Sequence, residues 1–356
     1  MADKVADGPR AVVLTPAARG SRAGNRVTAL RLAAILRQLG WTARVRTAWR
    51  DEPCDLVVAV HAVKSAAGAR AAKAAQPAAR LVAVLAGTDV YPRYEPTPDS
   101  AAALALADAI VALQPLALQA LPAELLGKAR TIVQSATAPV RPDGGTGDDG
   151  AGNDAGCTGA EALPAAGSGT APCAAARSRP FQACVLAHLR PVKDPLLPVR
   201  ALATLPPATP VAVVIAGRAL GDDMAAAMAA ACAAEPRARW LGELPRRRAL
   251  ALLAGSDACI VPSAAEGGAN VVSEALAAGV PLLATAVPGN TALLGADWPG
   301  LFPAGHAAAL GRLLARAATD AGFRADLRRR TAALRPLVDP ARERAAWADL
   351  LRSLRR

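Results

Sequence analysis

"PSAAEGGANVVSEALAAGVPLLAT" fills residues 262–285. It opens on the end of one apolar run, "DACIVPS" (257–263), and closes on another, "VPLLAT" (280–285), with a helical stretch between them. Two glutamates, Glu266 and Glu274, are separated by seven residues. The first ends a strand and its loop; the second falls a turn or more inside the helix. Gly267 and Gly268 leave backbone N–H groups free at the helix N-terminus, where an anion is favoured. The Glu274 carboxylate can accept from both hydroxyls of a ribose. Two acids eight apart also occur on ordinary solvated helices. The surrounding pattern, P-S-x-x-E-G-G followed by E-A-x-A-x-G-x-P, is far less common by chance.

Outward from this unit the same alternation repeats. "FQACVLAH" (181–188) and "VAVVIAG" (211–217) are further buried runs with helices after them. In the first half, "AVVLTP" (11–16), "DLVVAV" (55–60), "LVAVLAG" (81–87), "DAIVAL" (108–113) and "ARTIVQS" (129–135) follow the same plan. Leu32, Ile35, Leu36 and Leu39 recur at helical spacing, with Gly40 as the stop. Strand–helix alternation predicts parallel sheets covered on both faces. Between the halves the pattern stops. Residues 139–179 are rich in Gly, Ala, Asp and Pro without an apolar face, and read as a flexible linker. The expected division is therefore 9–138, linker 139–179, 180–338, and a final helix at 339–356 that can pack back towards the first domain. Ligands of open α/β sheets bind at the carboxyl ends of strands, so both halves can face one cleft.

The 356 residues suffice for two ordinary domains. Aromatics are only 3% while hydrophobic residues are 53%, much of it alanine, so the cores are small-residue packing. No apolar run approaches the ~20 residues of a membrane span. "MADKVADGPR" lacks the apolar segment of a signal peptide. Cys54, Cys157, Cys173, Cys184, Cys232 and Cys259 show no C-x-x-C spacing, which argues against a disulfide framework and a zinc site. A cytoplasmic protein is expected. The net charge of +12, carried mostly by arginine, suits small anionic substrates or simply an Ala/Arg-rich composition. Aromatics rarely interleave with the basic runs, so nucleic acid is not the expected partner.

A second stretch carries chemistry. "PAARGSRAGNRVTALRLAAIL" (16–36) follows the first strand. It offers the guanidinium forks of Arg19 and Arg22, the Ser21 hydroxyl, the Gly20 and Gly24 backbone, and Asn25 as an N-cap. Together these form a nest for a small tetrahedral anion. A solvated loop is the alternative. Lys64, after His61, can add a point charge. Thr88 and Asp89, in "AGTDVY", end a strand and either face the cleft or make an Asx turn. His61 either lines the site or is an ordinary strand-end histidine. Gln134 and Ser135 sit at the domain crossing, as hinge or ligand contact.

The 262–285 stretch resembles the E-x7-E donor motif of glycosyltransferase family 4, whose fold is GT-B: α/β, with two Rossmann-like parallel-sheet domains facing a cleft. "LAHLRPVKDPLLPVRAL" (186–202) is similar to that family's first C-domain strand and phosphate loop. The family's G-R…K pattern stands here as Ala187-His188…Lys193, with Arg190 close enough to stand in for the missing arginine. "WLGELPRRRALALLAGSDACIVPS" (240–263) matches the approach to the motif. The resemblance implies a UDP-sugar donor held by His188, Arg190, Lys193, Glu266, Gly267, Gly268, Ala269, Asn270, Val271 and Glu274, with Glu266, Lys193 and Asp89 at the reacting centre.

The N-terminal loops narrow the likeness. With "VAVHAVKSA", "VLAGTDVY" and "ARTIVQSA", they resemble SenB-type selenosugar synthases of selenoneine biosynthesis. That resemblance implies a second substrate, selenophosphate, held by Arg19, Gly20, Ser21, Arg22, Gly24, Asn25, Lys64 and Thr88. It implies transfer of a sugar to selenium with formation of a C–Se bond, UDP-N-acetylglucosamine being the favoured donor and UDP-glucose the other. No D-x-D pair suits a divalent ion on a diphosphate, so neither metal nor cofactor is expected. The alternatives are an ordinary family 4 transferase with a sugar or lipid acceptor, and a non-catalytic nucleotide-sugar-binding protein.

Overall fold

The computed structural model describes residues 8–87, 89–91, 95–139 and 179–355. Thr88 and nearly all of the linker segment, residues 140–178, lie outside them.

The first half runs β1 (Arg10–Leu14), α1 (Gly24–Gln38), β2 (Thr42–Arg46), β3 (Leu56–Val60), α2 (Ala66–Ala75), β4 (Arg80–Leu85), α3 (Pro98–Leu106), β5 (Ala109–Ala112), α4 (Ala123–Leu126) and β6 (Ala129–Thr131). The second runs β7 (Phe181–Leu186), α5 (Leu197–Ala203), β8 (Val211–Ala216), α6 (Asp222–Ala234), β9 (Ala238–Trp240), α7 (Arg246–Gly255), β10 (Ala258–Val261), α8 (Asn270–Ala278), β11 (Leu282–Thr285), α9 (Pro288–Leu294), β12 (Leu301–Phe302), α10 (Ala307–Thr319), α11 (Ala321–Leu334) and α12 (Pro340–Leu354).

Each half forms one six-stranded sheet, ordered β2-β1-β3-β4-β5-β6 and β12-β11-β10-β7-β8-β9. Every pairing is parallel. The central strands are buried from end to end; β3, "LVVAV", exposes none of its residues. Such continuous apolar, β-branched runs belong to sheets covered on both faces. The strands that the apolar pattern does not announce, β2, β9 and β12, all lie at or next to a sheet edge. β2 alternates exposed and buried residues, and β9 and β12 are only three and two residues long.

Chain order reverses between β1 and β3 in the first sheet, and between β7 and β10 in the second. Such switch points splay the connecting loops apart and open a crevice at the carboxyl ends of the strands. The loops after β1, β3, β7 and β10 are therefore the ones placed to build a site. They contain Ser21–Arg22, His61–Lys64, His188–Arg190 and Ser263–Glu266 respectively.

α1 buries Thr28, Ala29, Leu32, Ala33, Ile35 and Leu36 against the first sheet. It ends as expected at Gly40, whose φ of +86° suits glycine. Its start differs from expectation: the N-cap position is Ala23, and Asn25 lies inside the first turn with its carbonyl accepting from the Thr15 hydroxyl at 3.2 Å. The second sheet has one continuous core around it. One face of the first sheet is completed from far along the chain, because Trp347, Leu350 and Leu351 of α12 join Leu32, Leu36 and Val58 there.

No helix among the described residues is long and apolar enough to cross a membrane. Cys54, Cys184, Cys232 and Cys259 are free thiols; Cys157 and Cys173 fall outside the described residues.

Candidate active site

Loops from both switch points line one cavity of about 480 Å³ between the two sheets. From the first domain come Ser21, Arg22, Gly24, Asn25, His61, Lys64, Gly87 and Tyr91. From the second come His188, Arg190, Lys193, Glu243, Arg246 and the whole turn Glu266–Val271, with Glu274 one helical turn deeper.

The glutamate pair splits into two environments. Glu266 is buried, and its Oε1 accepts from Lys193 Nζ at 2.5 Å and from the Ser263 hydroxyl at 2.6 Å. The Ser263 carbonyl in turn accepts from Thr285 Oγ1 at 2.6 Å, and Asn290 Nδ2 donates to that same hydroxyl at 3.1 Å. A Cβ on Gly289 would stand 2.0 Å from the Glu266 carbonyl oxygen, so only glycine lets α9 approach this closely. These contacts run from α9 through the end of β11 to Lys193 and fix the Glu266 carboxylate. Glu274, on the fifth residue of α8, instead faces Arg246 at 2.8 Å, and only about a tenth of its side chain is exposed.

His188 stands where the family pattern has arginine. Its Nδ1 accepts from the Arg218 amide at 3.3 Å. Burial pushes its pKa below the ordinary histidine value, against the opposing pull of Glu243, so the ring is neutral near pH 7. It therefore does not supply the arginine's charge, whereas Arg190 and Lys193 line the same wall.

The two domains touch through backbone. A Cβ on Gly267 would lie 2.0 Å from the Cα of Gly87, and one on Gly268 would lie 2.9 Å from the Leu113 Cβ. The motif's glycines thus allow loop-on-loop contact across the cleft as well as leaving amides open.

Asp89, expected at the reacting centre, stands away from it. Its side chain is fully buried and accepts from the amides of Ala62 (2.9 Å), Ala86 (3.0 Å) and Gly87 (2.6 Å). It straps the loops after β3 and β4 together and does not line the cavity. Beside it, His61 has a φ of +72°, an uncommon conformation for a non-glycine residue. Burial lowers the His61 pKa, with Asp89 3.8 Å from Nδ1 pulling the other way. The Lys64 amide donates to that Nδ1 at 3.3 Å, which turns Nε2 into the ring's donor.

The anion loop is divided. Ser21, Arg22, Gly24, Asn25 and Lys64 reach the cavity, while Arg19 and Gly20 are exposed and do not. Arg22 Nη1 approaches Glu243 across the cleft at 3.8 Å. Asn270 lines the cavity, but its side-chain oxygen accepts from Arg31 at 2.9 Å and its nitrogen donates to the Gly24 carbonyl at 3.3 Å. Arg31, Glu243, Arg246 and Tyr91 carry no local signal in the sequence; each pairs with a residue distant along the chain, Asn270, Arg22, Glu274 and Gln114 respectively. Among the described residues, no group of three His, Cys, Asp or Glu side chains converges as a metal site.

Residues 174–333 match the family described as glycosyl transferases group 1. No curated protein matches the chain. Among solved structures it is similar to Anabaena HepE in complex with UDP and glucose, at 16% identity and a TM-score of 0.72, over 97% of this chain and 100% of that one. It is similar to sucrose-phosphate synthase from Thermosynechococcus elongatus, at 15% identity and a TM-score of 0.69, over 97% and 99% of the two chains. A glycosyltransferase from Rickettsia africae aligns over 97% and 99%, at 13% identity and a TM-score of 0.66. The fold is GT-B.

Proposed function

We propose that this protein transfers a sugar from a UDP-sugar to selenophosphate, forming a selenosugar. One observation carries the reading: a single cavity has the E-x7-E turn on one wall and a small cationic pocket on the other. Glu274 takes the ribose hydroxyls, and Leu244, Leu250 and Gly217 line the space beside it for the base. Arg190, Lys193 and the amides at the start of α8 face the diphosphate and stabilise the charge that develops as it departs. The sugar lies towards Glu266, with UDP-N-acetylglucosamine the favoured donor.

Opposite, Arg22, Ser21, Lys64 and the first turn of α1 suit a small tetrahedral anion. A selenium lone pair attacks the anomeric carbon. The C–Se bond forms as the bond from that carbon to the diphosphate oxygen breaks, and UDP leaves with the electron pair; the resulting Se-glycosyl selenophosphate then gives the selenosugar when water cleaves its Se–P bond and takes the phosphoryl group as phosphate. The nucleophile is already anionic, so no side chain needs to take its proton. The closed cleft holds the two reactants together and keeps out water that would hydrolyse the donor.

The test is turnover against selenophosphate concentration at saturating UDP-sugar, followed by mass spectrometry. Arg22→Ala removes a charge-assisted contact of ~1.5–3 kcal/mol, about a ten- to hundredfold fall in acceptor efficiency, with UDP affinity unchanged. Arg19→Ala is expected to behave as wild type, because its side chain lies outside the cavity. Equal curves for wild type and Arg22→Ala would remove the acceptor assignment. UDP binding with no selenosugar formed would favour an ordinary sugar acceptor.

A further inference from the structure

Arg31 sits on α1, away from the cavity wall, yet four parts of the chain meet at its guanidinium. Nη1 donates to Asn270 Oδ1 at 2.9 Å, Nη2 to Gln134 Oε1 at 3.2 Å, and Nε approaches the Glu343 carboxylate at 3.1 Å. Each partner passes the constraint on. Gln134 Nε2 donates to the Gly268 carbonyl at 2.8 Å, and Asn270 Nδ2 to the Gly24 carbonyl at 3.3 Å. Glu343 Oε2 accepts from the Ser135 amide at 2.7 Å and its hydroxyl at 2.5 Å. The Glu343 side chain is 1% exposed and that of Arg31 15%, so both charges depend on these partners. Only a planar fork reaches three acceptors on three elements at once; a lysine ammonium is a point charge.

The network therefore ties the first domain, the domain crossing at Gln134–Ser135, α12 and the Gly268–Asn270 turn to one side chain. Gly268 and Asn270 are held from the first-domain side, although their amides belong to the second domain's site. We propose that Arg31 is a positioning residue that makes the geometry of the Gly268–Asn270 turn conditional on closure of the cleft. The amides that face the donor's diphosphate are then aligned only when the acceptor domain is docked. This role rests on the donor reading of that turn. It links binding on one wall to readiness on the other.

The experiment uses the full chain and has two readouts. The first is hydrogen exchange of the Val272 amide, which donates to the Ala269 carbonyl within the turn at 3.0 Å, without nucleotide, in wild type, Arg31→Met, Arg31→Lys and Glu343→Gln. Arg31→Met should speed exchange there by about tenfold or more while the interior strands of both sheets keep their protection. The second is UDP release from UDP-sugar and selenophosphate. In Arg31→Met, kcat should fall about ten- to hundredfold with the donor KM little changed, since alignment rather than contact is lost. Arg31→Lys should recover part of the loss, which a merely structural defect would not. Wild-type exchange at Val272 in both Arg31 variants would overturn the proposal. If Arg31→Met does not fold, Arg31→Lys and Glu343→Gln decide it by the same exchange measurement. Faster exchange in the variants of an enzyme that does not turn over these substrates would support the coupling and reject the selenosugar reading. Normal turnover with unchanged exchange would do the reverse.

Discussion

Gly267→Ala tests the backbone contact across the cleft. The added Cβ would stand 2.0 Å from the Gly87 Cα and 2.6 Å from its nitrogen. Gly87 cannot yield cheaply, because its amide is strapped to Asp89 at 2.6 Å and its φ is +138°. Reaching an ordinary 3.4 Å contact therefore moves the loops apart by about 1.4 Å. A shift of that size carries the 2.8 Å bond from Gln134 to the Gly268 carbonyl beyond hydrogen-bond range. Both cores lie elsewhere, so each domain stays folded, and the strain falls in the ~1–3 kcal/mol range of overpacking. Lys193, Arg246 and Glu274 keep their places within the second domain. UDP affinity by calorimetry should stay within about threefold, less than one net hydrogen bond. Turnover should fall about a hundredfold, the cost of misplacing reactants by an ångström. A Gly267→Ala enzyme with wild-type kcat and wild-type melting would show that this contact plays no part in bringing the substrates together.

Glu274→Ala should weaken UDP binding by ~1.5–3 kcal/mol, because the ribose loses a charged acceptor; unchanged UDP affinity by calorimetry would refute the assigned role. Activity should persist in excess chelator, since Arg190 and Lys193 line the diphosphate wall; a strict Mg²⁺ or Mn²⁺ requirement would count against this site. His61 and His188 both have pKa values lowered by burial, so the unfolded chain binds more protons than the native one below the ordinary histidine value of 6.5. Their contribution to stability is complete above pH 6.5 and is lost as pH falls through and below it. His61→Asn, which tolerates the same backbone conformation, should flatten the fall in melting temperature between pH 7 and 5; an unchanged slope would mean the ring is not the group that titrates.

The parallel sheets and the turn that carries Glu266 and Glu274 could be read from the chain because their signals are local. Interior strands are unbroken apolar runs, and Glu266-x7-Glu274 is a spacing within one loop and helix. β2, β9 and β12 escaped because strands at the periphery are short or half-solvated and leave no such run. Arg19 and Arg22 stand three apart in one flexible-looking loop, and nothing in their order tells which turns inward. Asp89 could be placed at a strand end, but whether a carboxylate there faces a ligand or gathers amides depends on the direction of the following turn. The Arg31 network was illegible for a plainer reason. Arg31 and Glu343 are 312 residues apart, and no periodicity links residues so distant. Both glutamates of the motif looked like free ligand acceptors; the structure shows each already facing a cation, Lys193 and Arg246.

The return of α12 to the first sheet has a consequence for synthesis. Trp347, Leu350 and Leu351 complete the apolar layer over Leu32, Leu36 and Val58. A ribosome makes roughly 5–20 residues per second, so the first sheet waits on the order of ten seconds or more for its last layer. During that interval the face later covered by Trp347 is bare. The second domain's core runs from Phe181 to Val338 and is synthesised within the same interval. The helix that closes the first sheet also delivers Glu343 to Arg31.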